Sequence, residues 1–588
     1  MASSTSSSSP ASSPPLISPN SSTASMASSA SASSVVAHGA VYVSPPYRSS
    51  AQKKLRAMVT FAPRKSLFDI SNETSTSNQF RGFFTLFWIS LFLFTVRTYV
   101  RSMETHGWPL NFEFASMITS DGLTLALSDA VLVLNTGLCV PFAKAVSKGW
   151  VNYHWAGLVI QHLWQCAVLF VAITWTFNRR VSGFLTLHSF VMIMKMHSYL
   201  STNGQLGQAN KQAQRVLAQL KVATDTVGGW DAALQKAESA IVQAESPVQT
   251  GTPEVPEDAP AGSTTSYVDA RTAVTLRQRL HRAVVSANGQ ATTATANGVK
   301  ATGADANVDS AFGPGGVPTY PPTSSEILTH HPDEAVAALA KHHVELEREL
   351  TGPVEGKVRW PANITLRDFA WYQLTPTLVY ELEYPRTDGI RPLYVFEKTV
   401  AFFGTFALLY TIVETFIIPL TPTPDQSFAR SLLDLAMPFM LSYLLLFYII
   451  FECICNGFAE LSYFADRQFY DDWWNSTSWD EFSRKWNKPV HTFLLRHVYA
   501  STMSSYKLTR QSAMFLTFLL SAAAHELVMA IVTKKIRFYL FVMQIAQIPL
   551  IAIGRVPAIR RNRLLGNLVF WVGLYAGFPL LCVAYCAY

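Results

Sequence analysis

A histidine and a glutamate stand side by side in a strongly apolar stretch near the C-terminal end of the chain. The stretch LLSAAAHELVMAIV spans residues 519–532, with His525 and Glu526 at its middle. Ionisable side chains are expensive inside a membrane segment unless a protein-lined or wet cavity surrounds them. A neutral imidazole in such a cavity can act as a general base. His525 is therefore a candidate catalytic base, and a structural histidine that bonds a neighbouring helix fits this stretch equally well.

The spacing within this stretch limits the chemistry further. HEL matches the start of the zinc motif HExxH, but position 529 is Met, so the second histidine ligand is missing and zinc hydrolysis is excluded. Adjacent residues on a helix point about 100° apart, so His525 and Glu526 cannot face one point. Ser521, four residues earlier, shares the face of His525. We expect Glu526 to point aside and brace a neighbouring helix.

A second polar segment, FYDDWWNSTSWDEFSRKWNKPVHTFLLRHVY, spans residues 469–499. Its mixture of aromatic and charged residues is typical of a membrane interface, and an amphipathic belt without chemistry explains it as simply as a site does. Pro489 belongs in the first turn of a helix, so Trp486 and Asn487 are expected at or before the helix start. Residues 490–500 are then predicted to be helical.

The elements that must position these residues are membrane helices. The chain has 588 residues, of which 49% are hydrophobic and 14% charged, where soluble domains have about a quarter charged. A membrane span needs about 20 apolar residues. The sequence contains about nine such blocks, of which the fourth and eighth are short: 82–99, 121–143, 155–177, 183–199, 397–420, 432–457, 511–534, 537–553 and 565–587. The predicted fold is an all-α, polytopic membrane protein with about nine transmembrane helices.

Composition and charge divide the chain into four parts. Residues 1–80 form a Ser-rich tail predicted to be disordered and, because basic residues precede the first span, cytosolic. Residues 81–200 carry the first four spans, and residues 201–396 form a cytosolic loop with a low-complexity insert at about 245–325. Residues 397–588 form a C-terminal core that includes a cytosolic segment at 458–510. This topology places the C-terminus in the lumen, against the bias of two basic pairs, at 179–180 and 534–535.

Several stretches together resemble one family of enzymes. FYDDWWN, WNKPVH and SAAAHE, with further stretches at 188–204, 360–387 and 481–499, are similar to the sterol and diacylglycerol branch of the membrane-bound O-acyltransferases. The similarity spans about 60–200 and 355–588, and it is greatest to the fungal sterol O-acyltransferases. It implies a multi-spanning endoplasmic-reticulum enzyme whose helices enclose a reaction chamber. Such an enzyme transfers an acyl chain from cytosolic acyl-CoA to the 3-hydroxyl of a sterol from the bilayer, here expected to be ergosterol.

The resemblance also assigns roles to residues. The family's catalytic histidine corresponds to His525, and its Trp-Asn-x-x-x-His pattern corresponds to Trp486, Asn487 and His491. Counting from these motifs, the positions that contact CoA in relatives are Tyr499, Arg510 and Ser521, and a glutamine of the chamber in diacylglycerol relatives corresponds to Gln547. The implied reaction needs acyl-CoA as co-substrate and neither metal nor cofactor. Relatives assemble as dimers or tetramers, so a homo-oligomer is expected, with no nucleic-acid partner.

The residues alone are compatible with the same chemistry. A sterol hydroxyl needs a base during its attack on a thioester, and the developing oxyanion needs a donor, roles that suit His525 and Asn487. The phosphates of CoA need cations, which one cytosolic segment supplies: Arg484, Lys485, Lys488, Arg496, Lys507 and Arg510. Ordinary surface charge explains most of these, and only Arg510 is assigned to CoA. Three alternatives stay open at this stage: a diacylglycerol acyltransferase, a transporter, and a lipid-binding protein without turnover. Transporters often contain internal repeats, and the sequence shows none that would favour this alternative.

Overall fold

The computed structural model describes most of the chain outside the Ser-rich tail and the low-complexity insert. The described residues are 44–48, 55–59, 61–69, 81–108, 121–176, 182–244, 323–352, 358–422, 426–554, 556–557 and 562–587. Of the predicted low-complexity insert, only residues 323–325 lie within these ranges, and of the predicted tail only three short segments do.

Each of the nine apolar blocks forms a helix in the described chain, which confirms the all-α class. In the N-terminal part the helices are α1 Arg81–His106, α2 Gly122–Thr136, α3 Cys139–Ser147 and α4 Leu158–Thr176, the last preceded by a π-helical turn at Tyr153–Gly157. Helix α5, Ser182–Thr226, joins the fourth apolar block to the polar loop in one continuous helix of 45 residues. The predicted boundary at residue 200 therefore falls inside a helix.

The polar loop contributes a group of smaller helices. These are α6 Trp230–Ala244, α7 Ser324–Leu328, α8 Glu334–Leu350 and α9 Leu366–Leu374. Helix α8 packs along the second half of α5. Apolar residues of α5, α6, α7 and α8 form a common small core, which includes Leu220, Ala237, Leu328 and Val336. The loop region thus carries a helical extension of α5, at 230–244 and 324–350.

The C-terminal part carries the remaining apolar blocks and the helices of the 458–510 segment. Its elements are α10 Pro392–Ile412, α11 Phe428–Phe447, α12 Cys455–Leu461, α13 Trp479–Lys485, α14 Lys488–Phe493, α15 Ser501–Ser505, α16 Arg510–Thr533, α17 Tyr539–Gly554 and α18 Arg563–Ala587. Helical backbone of the π type continues α10, α11 and α14, at Val413–Ile417, Tyr448–Ile454 and Leu494–Ala500. A single 3₁₀ turn covers Trp473–Asn475.

The predicted number of nine spans is not confirmed. Six helical stretches of the described chain are long and apolar enough to cross a membrane: Gly122–Ser147, Trp155–Trp175, Pro392–Ile417, Phe428–Leu461, Arg510–Thr533 and Arg563–Cys586. The first and fourth blocks form helices outside this set, and α17 is a shorter apolar helix of 16 residues.

The ordered fold begins before the predicted boundary at residue 80. An antiparallel pair of short strands, β1 Ser44–Arg48 and β2 Leu55–Met58, lies within the predicted tail. Residues 61–69, which we call the strap, pack against the segment after α12. Within the strap, Arg64 is buried and forms an ion pair with Asp466, and Ser66 bonds the buried carboxylate of Glu452. A composition rich in Ser and Pro up to residue 50 did not reveal these contacts, because their partners are about 400 residues away.

Helices α5 and α16 are connected near the predicted lumenal face. A methyl group added at Gly183 would lie 2.8 Å from the side chain of Val532, and Lys534 Nζ lies 3.4 Å from the hydroxyl of Ser182. The start of α5 and the end of α16 therefore lie at the same face of the bundle, as the predicted topology requires. One of the two basic clusters that oppose the positive-inside rule, at 534–535, lies at this junction.

Candidate active site

The backbone of α16 orients the ring of His525. Nδ1 of His525 lies 2.7 Å from the backbone carbonyl oxygen of Ser521 and 3.4 Å from the Ser521 hydroxyl. A carbonyl oxygen only accepts hydrogen bonds, so Nδ1 carries the hydrogen and donates it. The neutral ring then has its lone pair on Nε2, which is the state that a general base needs. His525 is exposed on the surface of α16, and its Nε2 takes no part in the contact with Ser521.

Glu526, the next residue, points into the bundle. It is 5% exposed, and its carboxylate accepts hydrogen bonds from the backbone N–H groups of Phe538 and Phe541 and from the hydroxyl of Tyr585. These contacts join α16 to the start of α17 and to the end of α18. The 100° step between neighbouring helix positions thus separates an exposed imidazole from a buried carboxylate.

Asn487 is the N-cap of α14. Its side-chain oxygen accepts a hydrogen bond of 3.1 Å from the backbone N–H of Val490, and Pro489 lies in the first turn. Asparagine is a preferred N-cap because its oxygen satisfies one of the orphan donors of a helix start. The cap uses the oxygen alone. The amide nitrogen, which is the donor that oxyanion stabilisation needs, lies outside this contact.

Trp486 lies in an aromatic cluster. Its ring stacks on Tyr443 at 4.7 Å between centroids and meets Phe447 and Trp473 at 4.8 Å each. Trp473 is 1% exposed, so the cluster belongs to the core of the C-terminal part. Because Trp486 precedes Asn487, this packing fixes the start of α14. Trp486 itself is half-buried at the edge of this cluster.

His491 lies one turn after Asn487 on α14. Its side chain is half-buried. Burial, with the positive charges of Arg484 and Lys488, lowers the pKa of His491 to about 4. The imidazole is therefore neutral at physiological pH.

Most cations that sequence reasoning offered to CoA are paired with carboxylates inside the protein. The ion pairs are Arg484 with Asp480, Lys485 with Asp472 and Glu481, Lys488 with Asp471, and Arg496 with Glu381. Sequence reasoning missed these partners, although those of Arg484 and Lys485 at spacing i−4 were visible. Lys507 and Arg510 lie on the exposed loop and first turn at the start of α16. Tyr499 is half-buried on the π-helical stretch 494–500.

The helices that carry the predicted site residues contact one another, but few of the site side chains are bonded directly to each other. The stretch 494–500 contacts α16, and its His497 bonds Ser198 of α5; α13 contacts α17. Two pairs of predicted site residues are linked directly in the described chain: His525 with Ser521, and His491, whose backbone N–H donates to the carbonyl oxygen of Asn487 at 3.0 Å. Gln547 of α17 bonds Gln544 at 2.8 Å. Asn487 lies at the start of α14 and His525 lies on α16. No hydrogen bond joins these two side chains in the described part of the chain.

Sequence reasoning missed a buried polar chain behind the stretch 494–500. Nε2 of His497 lies 2.8 Å from the hydroxyl of Ser198, which accepts a hydrogen bond from the backbone N–H of Tyr380. His197, next to Ser198 on α5, bonds the buried Gln161 at 2.8 Å. These contacts join α4, α5 and the stretch that carries Tyr499. No local sequence pattern indicates these hydrogen-bonded residues, because they come from four distant parts of the sequence.

Comparison with known proteins now decides the family. The profile of the family described as MBOAT, membrane-bound O-acyltransferase, matches residues 269–587, which is more than half of the chain and includes every predicted site residue. The chain belongs to the membrane-bound O-acyltransferase family. Membership confirms the resemblance noted in the sequence, and with the apolar helices it makes the chain a multi-pass membrane enzyme of the acyltransferase class.

The relatives of this O-acyltransferase include several fungal proteins. The probable sterol O-acyltransferase 1 of Schizosaccharomyces pombe is 30% identical over 540 residues, which cover 89% of this chain and 85% of the relative. Sterol O-acyltransferase 2 of Saccharomyces cerevisiae is 43% identical over 241 residues, 39% of this chain and 38% of the relative. Diacylglycerol O-acyltransferase 1 of Dictyostelium discoideum is 33% identical over 234 residues, which cover 38% of this chain and 37% of the relative.

Proposed function

We propose that this chain is an acyl-CoA:sterol O-acyltransferase that esterifies the 3-hydroxyl of a sterol for storage. The observation that carries the proposal is the state of His525, which is exposed on α16 and whose Nδ1–H is bonded to the helix backbone, so that Nε2 stays outside this contact. Membership of the family supports acyl transfer. The similarity over most of the chain to a protein named as a sterol O-acyltransferase supports a sterol as the acceptor.

The proposed reaction is a direct transfer within a ternary complex. The sterol oxygen attacks the thioester carbonyl while Nε2 of His525 takes the hydroxyl proton. The C–S bond then breaks, the new C–O ester bond remains, and the proton passes from Nε2 to the thiolate of CoA. A general base contributes about 10²–10⁴-fold to such a rate. The amide nitrogen of Asn487 is the proposed donor to the oxyanion, or the group that orients the imidazole.

The proposed acyl-CoA site lies at the cytosolic end of α16. Arg510 begins this helix, Ser521 lies three turns further along it, and Tyr499 lies on a stretch that contacts it. A cationic side chain suits the phosphates of CoA. His525 lies 15 residues after Arg510, about 22 Å along the axis at 1.5 Å per residue, which matches an extended ligand with its phosphates at one end and its thioester at the other.

The remaining parts of the proposal concern the setting of the enzyme. We place it in the endoplasmic-reticulum membrane with its N-terminus in the cytosol and its C-terminus in the lumen. The contact between Gly183 and Val532 supports the relative order of α5 and α16 in this topology. A dimer or tetramer is the expected assembly, and the expected co-substrate is acyl-CoA without a cofactor.

A diacylglycerol acceptor is the second candidate. Two observations favour it: Gln547, which corresponds to a chamber glutamine of diacylglycerol relatives, and the similarity to the Dictyostelium diacylglycerol O-acyltransferase 1. That similarity covers a much smaller share of the chain than the similarity to the Schizosaccharomyces pombe relative. The sterol acceptor is therefore the proposal that we favour.

One experiment separates these functions. Membranes from a host without its own sterol and diacylglycerol acyltransferases are given labelled oleoyl-CoA with ergosterol and diacylglycerol together. We expect labelled steryl ester from the native chain and none from His525→Ala, a variant that must accumulate and solubilise like the native protein. Labelled triacylglycerol alone would establish the second candidate. Absence of both products would favour a transporter or a lipid-binding protein, and full activity of His525→Ala would remove the histidine from the mechanism.

A further inference from the structure

Helix α17 begins without a capping residue of its own. The sequence ahead of it, Ile536 to Phe538, has no short polar side chain, although the first N–H groups of a helix have no partner within the helix. Glu526 of α16 replaces the missing cap, because its two oxygens accept from the N–H groups of Phe538 at 2.7 Å and Phe541 at 3.1 Å.

Tyr585, near the end of α18, completes this cap. Its hydroxyl donates to Glu526 at 3.0 Å and accepts from the backbone N–H of Leu540 at 3.2 Å. Arg537, which precedes α17, forms a second link to α18: its guanidinium donates to the carbonyl oxygens of Ala584 at 3.3 Å and Tyr585 at 2.9 Å. These carbonyl groups belong to the last turn of α18, where a helix leaves its acceptors without partners. Three helices are thus joined at one carboxylate.

The position of this junction bears on His525. A rotation of α16 about its axis moves neighbouring side chains together, because adjacent positions keep a fixed angle of about 100°. Glu526 is buried and bonded to two other helices, so it fixes the rotation of α16 at this level. The carbonyl of Ser521 fixes the His525 ring relative to α16. The direction of Nε2 therefore depends on both contacts.

We infer that Tyr585, together with Arg537, is a positioning residue for His525. The inference rests on the proposed function, in which His525 is the base. Neither Tyr585 nor Arg537 contacts His525 or a reacting atom; both act through Glu526 and the ends of α17 and α18. Catalytic geometry is demanding, since a displacement of about 1 Å can cost about 10²-fold in rate. A small loosening of α16 would therefore reduce turnover before it disrupts the fold or the binding of CoA.

The test uses the full chain in membranes and compares two identical chemical changes on one helix. Tyr585→Phe removes the hydroxyl and keeps the ring, which packs 5.5 Å from the ring of Tyr539. Tyr575→Phe is the matched control, because this hydroxyl is on the exposed side chain of an earlier α18 residue and lies 3.8 Å from the sulfur of Met437. We expect kcat to fall about tenfold in Tyr585→Phe, with KM for oleoyl-CoA unchanged, and to stay native in the control.

A second comparison distinguishes positioning from a general loss of structure. Glu526→Gln offers a nitrogen in place of one acceptor oxygen and weakens the same junction. If both residues act through one contact, the variant that combines Glu526→Gln with Tyr585→Phe will lose little more activity than Glu526→Gln alone. If the losses of activity in the two single variants multiply in the combined variant, the inference is overturned. It is also overturned if KM for oleoyl-CoA rises in Tyr585→Phe by as large a factor as kcat falls.

The outcome for this inference is separate from the outcome for the proposed function. If His525→Ala is inactive and Tyr585→Phe keeps native kcat, the positioning role is wrong and the base stands. If His525→Ala is active, both fail. Should Tyr585→Phe fail to accumulate, Arg537→Lys replaces it, because lysine keeps the charge and loses the fork that reaches two carbonyl groups. A native kcat in Arg537→Lys would then overturn the inference, and a tenfold lower kcat with native KM would support it.

Discussion

Ser521 and His525 lie one helical turn apart, and the histidine Nδ1 is closer to the serine backbone than to its side chain. The distance is 2.7 Å to the carbonyl oxygen and 3.4 Å to the hydroxyl. The backbone of α16 therefore selects the tautomer of His525. Any residue at position 521 that preserves the helix also preserves this anchor.

This relationship predicts a small effect for Ser521→Ala and a large one for His525→Asn. The first keeps the carbonyl anchor and should lower kcat by less than about fivefold, the size of one weak hydrogen bond. The second retains an N–H donor and lacks a basic nitrogen, so we expect a loss of about 10²-fold or more. Turnover of labelled oleoyl-CoA to steryl ester measures both. If Ser521→Ala and His525→Asn lose activity equally, the Ser521 hydroxyl and not the helix backbone determines the orientation of the His525 ring.

Asn487 has two separable roles, which Asp and Ala distinguish. Asn487→Asp keeps an N-cap acceptor for Val490 and lacks the amide donor, so we expect native thermal stability with activity lowered about 10²-fold. Asn487→Ala loses the cap as well and should cost about 1 kcal/mol in stability. Thermal unfolding in detergent and acyl transfer are measured on the same preparations. Native activity in Asn487→Asp would remove the amide from the reaction.

Arg510 and Arg484 offer a matched pair for the acyl-CoA site. Arg484 lies on α13, where it forms an ion pair of 3.0 Å with Asp480, and Arg510 is the first residue of α16, the helix that carries His525. We expect Arg510→Ala to raise KM for oleoyl-CoA about tenfold, as loss of a charge-assisted contact would, and Arg484→Ala to leave KM unchanged. The effect of Arg510→Ala should shrink at high salt, because salt screens exposed charges. A larger rise of KM in Arg484→Ala than in Arg510→Ala would place the phosphate site near Arg484 instead.

His491 predicts a loss of stability in acid. Its pKa in the folded protein is lowered to about 4, below the usual 6.5, by burial and then by nearby positive charge. A group with a lowered folded pKa contributes stability that is present above the unfolded pKa and is lost as the pH falls through the folded one. The midpoint of thermal unfolding should therefore drop between pH 6.5 and 4. His491→Gln should flatten this part of the curve, and an unchanged slope would assign the acid sensitivity to other groups.

The strap should contribute to the stability of the catalytic part. Arg64 is buried against Asp466 and bonds Gln468 at 3.1 Å, so Arg64→Ala leaves a buried carboxylate without this partner. Removal of one partner of a buried ion pair costs about 3–5 kcal/mol. The double variant Arg64→Ala with Asp466→Ala should be more stable than Arg64→Ala alone, and the opposite order would show that the pair is not what holds the strap.

The features that could be predicted depend on local spacing or on long apolar runs. All nine apolar blocks are helical, since a run of this composition satisfies its backbone only within itself. Pro489 marked the start of α14 correctly, because proline is favoured in a first turn. The common face of Ser521 and His525 followed from helix pitch. The number of spans did not follow, because length and apolarity do not distinguish a spanning helix from a tilted or buried one.

The sequence by itself determined the helical class, the family and the candidate base, because each depends on residue types at short and regular intervals. Only the tertiary structure decided which groups surround that base. Glu526 and Tyr585 are 59 positions apart and meet at 3.0 Å, and Arg64 meets Asp466 across 402 positions. Such pairs have no periodicity in the chain. They form because burial within a membrane protein leaves polar groups no solvent to bond, so each must find its partner wherever the packing of the helices brings one.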